Sequence, residues 1–219
     1  GIARTQTDLD NHATQQGVNV GDCLYKDISG PEGTPDGVID AYDQTVLGSG
    51  LPKVNFGLST HMEYKGFDLN ISTYGVLNYH VSDDIYNSLN SCYGYGNKEV
   101  GMLDANRWSE DGTYLSSVPR TYAANNATLA WNDLFSSRKI QNAAYWKIAN
   151  VELGYNFPDK WFGGYVSGVR LYVSAQNLYT FTGYHGYNVD YAGGTFTPGY
   201  NFCSFPSART FMAGLHFTF

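Results

Sequence analysis

The sequence is short of charge. Only 15% of its residues are Asp, Glu, Lys or Arg, well below the roughly 25% of an ordinary soluble domain. The balance is 13 Lys and Arg against 20 Asp and Glu, a formal net charge of −7, which excludes the basic excess of a nucleic-acid binder. No stretch approaches the ~18 consecutive apolar residues of a transmembrane helix. Cysteine is scarce as well: Cys23, Cys92 and Cys203 stand far apart with no CxxC pair. That pattern argues against zinc and leaves either one disulfide with a spare thiol or three separate thiols. The opening Gly1-Ile2-Ala3-Arg4-Thr5-Gln6-Thr7-Asp8 lacks the basic-then-apolar order of a signal peptide. Either a signal has been removed or the chain starts inside a longer polypeptide.

Catalytic patterns are missing too. His12, His61, His80, His185 and His216 are scattered, with no HExxH or other paired-His spacing. There is no GxSxG elbow, and Gly94-Tyr95-Gly96 is not followed by a phosphate-loop Lys-Ser/Thr pair. Nothing supports an enzyme.

Aromatic residues and glycine are abundant: 19 Tyr, 12 Phe, 4 Trp and 25 Gly. That richness excludes a disordered chain. Five segments alternate with period two, the pattern of strands with one apolar face. Around Val54–Tyr64, Phe56, Leu58, Thr60, Met62 and Tyr64 share a face, and around Phe67–Tyr79 so do Phe67, Leu69, Ile71 and Thr73. The tight Tyr64-Lys65-Gly66-Phe67 junction makes these two a hairpin. A third segment, about Tyr145–Phe157, has Val151, Leu153, Tyr155 and Phe157 on one face. A fourth, about Gly168–Tyr179, has Val169, Leu171, Val173 and Ala175 opposite Arg170, Tyr172, Ser174 and Gln176. The fifth, from about Arg209 to the end, has Phe211, Ala213, Leu215, Phe217 and Phe219.

The connections 64–67 and 158–167 are short, whereas 80–144 and 180–207 are long and rich in Tyr, Asn, Ser and Gly. Long structureless connections are uncommon in compact soluble domains, but short turns on one side and long loops on the other are the habit of outer-membrane barrels. Phe56, Tyr64, Phe67, Tyr155, Phe157, Tyr179 and Phe181 lie at strand ends, as interfacial girdles require. The competing reading, a soluble β-sandwich, predicts short loops and turn signals every ~8–12 residues. The expected fold is therefore all-β, an antiparallel transmembrane β-barrel represented by a C-terminal segment of about five strands with long extracellular loops. The smallest bacterial barrels have about eight strands, so the chain is expected to pair with strands outside it. The final strand, ending Phe217-Thr218-Phe219, looks like the assembly signal of outer-membrane proteins.

An ordered set of short motifs spans nearly the whole chain. It begins with Gly21-Asp22, Tyr25-Lys26-Asp27, Asp36-Gly37-Val38-Ile39-Asp40 and Pro52-Lys53. It continues with Tyr64-Lys65-Gly66-Phe67-Asp68-Leu69, the run Lys147-Ile148-Ala149-Asn150-Val151-Glu152-Leu153-Gly154-Tyr155, then Val173-Ser174-Ala175-Gln176-Asn177-Leu178-Tyr179-Thr180-Phe181 and Ala208-Arg209-Thr210-Phe211. In this order the motifs resemble the TonB-linked outer-membrane transporters of the SusC/RagA type. The resemblance implies a C-terminal part of a plugged barrel of about 22 strands, with the plug and the TonB-contacting segment upstream. It further implies import of oligosaccharides or peptides across the outer membrane of a Gram-negative bacterium. The implied partners are a SusD-type surface lipoprotein acting as a lid, the TonB complex and outer-membrane lipid. A passive porin or adhesin-like barrel is the alternative. If Phe219 ends in the periplasm, residues 1–52 form an extracellular segment ahead of strands and loops in 53–219, and all three cysteines fall outside the membrane.

Asp27, Ser29, Asp36, Asp40 and Asp43 form a calcium-type pattern. With residues 30–35 removed it reads D-x-S-D-G-x-I-D-x-x-D, and Gly37 occupies the sharp-turn position of an EF-hand loop. Pro31, Pro35 and a final Asp in place of Glu depart from that loop, and the competing reading is an Asp/Gly turn held by its own backbone. Tyr93, Tyr95, Trp108 and Trp131 in the first long loop, with Tyr184 and Tyr187 in the second, suit contact with substrate or lid; the competing reading is that they pack the loops. Glu152 and Arg170 are expected to pair across the polar face.

Overall fold

The computed structural model describes residues 1–92, 96–100, 108–109, 118–121, 131–161, 166–190, 194 and 196–218. The chain divides into two compact units, one of residues 1–47 with 84–139, the other of residues 48–83 with 140–219.

The second unit carries the long strands. They are β1 (Val54–Tyr64), β2 (Phe67–Leu77), β5 (Tyr145–Phe157), β6 (Gly168–Thr182) and β8 (Thr210–Thr218), antiparallel in the order β1-β2-β5-β6-β8. Between them come three short strands, β3 (His80–Asp83), β4 (Gln141–Asn142) and β7 (Tyr200–Asn201), which make a second sheet in the order β4-β3-β7. Alternation indicates all five long strands and neither the short ones nor their sheet, because strands of two to four residues leave no periodic trace. The β1–β2 turn has Lys65 at φ 48° and Gly66 at φ 87°, the two positive φ values of a type I′ hairpin. At the other end of β2, Asn78 takes φ 53° and stops the strand short of Tyr79. The β5–β6 connection begins at Pro158, which has no N–H for a ladder, and passes through a 3-10 turn, Asp159–Trp161.

Register turns the five alternations into one surface. Met62 faces Leu69, Leu69 faces Leu153, Leu153 faces Val173, and Val173 faces Ala213. The next row toward the hairpin end runs Tyr64–Phe67–Tyr155–Leu171–Leu215. This apolar face is uncovered, with Leu58, Leu153, Val173, Phe211 and Leu215 exposed, Leu215 by 58%. A contiguous apolar surface spanning five strands is far beyond the scattered exposure of a soluble monomer. Aromatic rings border it at both ends. Phe67 and Tyr155 lie 4.6 Å apart and Tyr155 and Phe157 4.9 Å apart at one end, and Trp146 stacks on Phe181 at 5.2 Å at the other. Tyr155 and Trp146 are nine positions apart on β5, roughly 30 Å of strand. At a tilt of ~40° that spans about 23 Å, close to the ~25 Å apolar band of outer-membrane barrels.

The buried apolar cluster of this unit lies at the Trp146 end, where Val76, Tyr79, Val81, Ala143, Tyr145, Tyr184 and Val189 pack together.

The first unit contains α1 (Gln6–Asp10), α2 (Asp84–Leu89) and a 3-10 turn at Ala41–Asp43. Its centre is polar. Buried Asp22 accepts from Arg120 Nε (2.6 Å) and Nη2 (2.9 Å), from Asn132 Nδ2 (2.8 Å) and from the Asn19 N–H (2.9 Å). A bidentate guanidinium with two further donors satisfies the carboxylate fully, which is what makes its burial tolerable. The N-terminal segment and the long connection after β3 thus share one unit, a grouping that alternation had no means to show.

Candidate functional site

On the opposite face of the large sheet the side chains are polar, and one arginine ties three strands together. Arg170 on β6 donates through Nε to Asp68 Oδ1 on β2 at 3.0 Å, through Nη2 to Asp68 Oδ2, and through Nη2 to Glu152 Oε1 on β5 at 2.6 Å. The expected Glu152–Arg170 pair is present. Its third member, Asp68, was not foreseen, because β5 lies between β2 and β6. The reach depends on Gly154 of β5. A Cβ there would lie 2.5 Å from Asp68 Oδ1 and 2.6 Å from Arg170 Nη2, so only glycine leaves the lane open. Asn156 Nδ2 adds a 3.0 Å bond to Asp68 Oδ1. Further out on β1, His61 bonds Asn70 Oδ1 at 2.6 Å and Glu63 Oε1 at 3.0 Å.

A bulge then reassigns the faces. The register of β5 shifts between Ile148 and Asn150 against β6, and that of β2 between Ser72 and Thr73 against β5. Beyond Ala149 the parity reverses, so Trp146 and Ile148 join the apolar face and Lys147 turns to the polar one. Without the extra residue, Lys147 would point into the apolar surface. Instead it is 3% exposed, its Nζ is ion-paired with Asp190 Oδ2, and it lies 6.0 Å from the Tyr74 ring centroid.

Lys147 and Asp190 line a cavity of about 310 Å³ together with Asn177, Tyr179, Tyr187 and Arg209, among others. The segment forming one wall, residues 183–190, is fastened at both ends. At one, Tyr184 donates its hydroxyl to Asp83 Oδ2, and Asn201 Nδ2 bonds both Asp83 Oδ2 (3.0 Å) and the Tyr184 oxygen (2.7 Å). Burial first, then the Asp83 carboxylate, raises the Tyr184 hydroxyl above the ordinary tyrosine range, so it stays a neutral donor. At the other end stands the Lys147–Asp190 pair. Between these anchors Tyr187 projects, 67% exposed. The arrangement offers a flat ring, amide groups and a guanidinium around a pocket, suited to hydrogen-bonding and stacking with a polar ligand.

The acidic residues of the first unit do come into one turn. Asp27 Oδ2 accepts from the Gly37 N–H at 2.7 Å, Asp36 Oδ1 from Val38 at 3.0 Å and Asp40 Oδ1 from Tyr42 at 2.8 Å. Asp43 accepts from Ile28 (2.8 Å), Ser29 (3.2 Å) and Asp40 (2.9 Å). These backbone donors, Asp40 first, hold the Asp43 carboxyl below its usual range. Gly37 has φ 83°, the left-handed conformation the turn requires. Among the described residues no three His, Cys, Asp or Glu side chains stand arranged to hold a metal ion. One loose end remains: Asp27 Oδ1 is buried without a hydrogen-bond partner, and the Asp27 carboxyl adjoins that of Asp43.

The aromatic candidates separate. Trp108 lies flat against Gly21, where a Cβ would come within 2.5 Å of its ring. Trp131 donates from Nε1 to Gln16 O at 2.7 Å and packs 5.6 Å from Tyr25. Tyr184 is buried as above. Of the six, Tyr187 alone among the described residues presents its ring outward at a pocket, and Tyr93 and Tyr95 lie outside the described residues. Phe217 faces Val169 on the apolar face; Phe219 lies outside the described residues. Sequence reasoning missed Lys147, Asp190 and Arg209. A lysine at an apolar-face parity beside a tryptophan at a polar one was the available signal for the bulge.

No family model matches the chain. It is 30% identical over 204 residues, 90% of its length, to TonB-dependent receptor P3 of Formosa agariphila, covering 19% of that protein. It is 27% identical to TonB-dependent receptor SusC of Bacteroides thetaiotaomicron, over 84% of this chain and 17% of SusC. Its fold matches a chain of the RagAB peptide importer in the open-open state with a TM-score of 0.68 at 24% identity, over 88% of this chain and 20% of that one. The chain thus spans about a fifth of the length of the relatives it matches.

Proposed function

We propose, from its similarity to TonB-dependent receptors that include SusC and from the fold it shares with a chain of the RagAB importer, that this chain is a segment of a SusC/RagA-type receptor and builds part of the wall and outer loops of an active nutrient importer in a Gram-negative outer membrane. One observation carries the reading: a continuous, uncovered apolar face across five antiparallel strands, bordered by aromatic rows and backed by a polar face. Lipid takes the apolar face, and the polar face lines the lumen. The Arg170 network stiffens that lining without supplying chemistry to the cargo. The pocket behind Tyr187 contacts the cargo, an oligosaccharide or peptide, through stacking and amide hydrogen bonds. A SusD-type surface lipoprotein closes over the outer loops, and the TonB complex drives release through parts of the protein beyond this chain. No residue here acts as a catalyst.

The test uses the full-length protein in its native membrane. Uptake of labelled maltooligosaccharide and of labelled peptide is followed with and without a protonophore, and the lipoprotein is sought in a pull-down from mild detergent. Energy-dependent uptake of one cargo class with a co-purifying lipoprotein supports the proposal. Uptake indifferent to the protonophore identifies a passive porin instead, and no uptake of either cargo overturns the importer.

Calcium at Asp27, Ser29, Asp36, Asp40 and Asp43 belongs to the same proposal, as an ordering ion with no part in transport. Two adjoining carboxylates, one with a bare buried oxygen, favour a hard cation with several oxygen positions. Calorimetric titration of the full-length protein with Ca²⁺ tests it. Saturable heat lost in Asp36→Asn supports the site, and no heat leaves the turn held by its hydrogen bonds.

A further inference from the structure

Cys23 and Cys92 take no part in the pocket or the polar face, yet the first unit brings them together. Both are buried, at 3% and 1% exposure. Their backbones are tied to consecutive residues of one turn: the Cys23 N–H donates to Asn132 Oδ1 at 2.7 Å and the Cys92 N–H to Asp133 Oδ1 at 3.2 Å. One guanidinium serves both sulfurs. Arg138 Nη1 donates to Cys23 Sγ at 3.0 Å, and the same side chain adjoins the Cys92 thiol. Successive Cα atoms lie ~3.8 Å apart, and a disulfide needs Cα atoms about 4.4–6.8 Å apart. The tighter constraint is the Arg138 guanidinium, which bonds Cys23 Sγ and reaches the Cys92 thiol as well, so both sulfurs lie beside one planar group. All three cysteines are thiols in the structure, and the third, Cys203, is exposed and belongs to the other unit.

We propose that Cys23 and Cys92 are joined by a disulfide as the first unit folds outside the cytoplasm, with Cys203 left as the thiol. The oxidant is a disulfide-bearing thiol oxidase of the periplasm. One cysteine thiolate attacks the oxidase disulfide and forms a mixed disulfide. The second thiolate attacks that bond and releases the oxidase as a dithiol, so two protons and two electrons leave the pair and one S–S bond forms. Burial pushes the Cys92 thiol up to about 11 once the unit has closed, where little thiolate exists at neutral pH. Exchange therefore precedes closure. The bridge staples the segment ahead of β1 to the connection beyond α2.

Full-length protein in isolated outer membranes is treated with N-ethylmaleimide in denaturant without reductant, digested and mapped by mass spectrometry. The expected result is a Cys23–Cys92 peptide pair lighter by two hydrogens, separable by reductant, with Cys203 alkylated. Maleimide on both Cys23 and Cys92, or either one joined to Cys203, overturns the proposal. Protein missing from that membrane fraction would count against the barrel reading and not against the bridge. As a second measure, Cys92→Ser should shorten the half-life of residues 84–139 under limited proteolysis severalfold, as reductant does to the wild type, whereas Cys203→Ser should not. Equal half-lives for Cys92→Ser and wild type would also overturn it.

Discussion

Replacing Arg170 with methionine keeps most of the side-chain volume and removes the charge from the three-strand network. Asp68, with 6% of its side chain exposed, would keep only Asn156 as a side-chain donor, while Glu152, 26% exposed, would turn to solvent. Breaking a buried pair from one side costs about 3–5 kcal/mol, because a desolvated carboxylate is left behind. Here the cover is a single layer of neighbouring side chains on the polar face, so the cost falls below that range, to about 2 kcal/mol, roughly thirtyfold in the folding equilibrium. Glu152→Gln should cost less than about 1 kcal/mol, as exposed pairs do. Arg170→Met with Asp68→Leu should recover most of the loss, since no buried charge remains. Urea unfolding of the full-length protein in lipid bilayers, followed by tryptophan fluorescence, gives the free-energy differences. If Glu152→Gln costs as much as Arg170→Met, or the double variant is no better than the single one, the network does not work through Asp68 burial.

Gly154→Ala should cost about 1–3 kcal/mol in the same assay by pushing Arg170 off Asp68, and Gly168→Ala, where a Cβ meets nothing closer than 3.8 Å, should be nearly silent. Lys147→Met removes the cation paired with Asp190 beside the buried cluster and should speed amide exchange across residues 183–190; unchanged exchange would mean the loop is held without that ion pair. The Asp43 carboxyl is lowered by the backbone donors it engages, so its contribution is complete above the ordinary carboxylate value near 3.9 and is lost as pH falls through its own lower value. The 27–43 turn should therefore loosen only below about pH 4, seen as protease cleavage there by an acid-active enzyme, and Asp43→Asn should remove the pH dependence.

The long strands were legible because a sheet with one apolar face writes its period directly into the chain. Val169, Leu171 and Val173 alternate with Arg170, Tyr172 and Ser174, and the tight turn at Lys65-Gly66 sets the register of β1 on β2. The bulge at Ala149 was not legible from alternation alone, since one unpaired residue changes no local propensity while reversing every face beyond it. Lys147 and Trp146, each at the wrong parity for its face, are its only trace, and Asp190, which pairs with Lys147, is far off in sequence. The buried centre of the first unit was hidden for another reason. Asp22, Arg120 and Asn132 meet through side chains far apart in sequence, and no periodicity records such a meeting. The aromatic loop residues were legible as a class but not individually. Tyr184 and Tyr187 are chemically alike, and only the positions of Asp83 and Asn201 decide that one is an anchor and the other is presented.

The central claim is that the apolar face meets lipid and the opposite face does not. The direct measurement is quenching of a small fluorophore by brominated lipid, with single labelled cysteines placed one at a time in the full-length protein reconstituted in bilayers. Positions Val151, Leu153, Leu171, Val173 and Leu215 should be quenched, with Val151, midway between the two aromatic rows, deepest. Ser59, Asn150, Tyr172 and Gln176 should be quenched weakly if at all, and beyond Ala149 the pattern should reverse, with Ile148 quenched and Lys147 protected. Equal quenching on both faces, or none on either, would contradict the account.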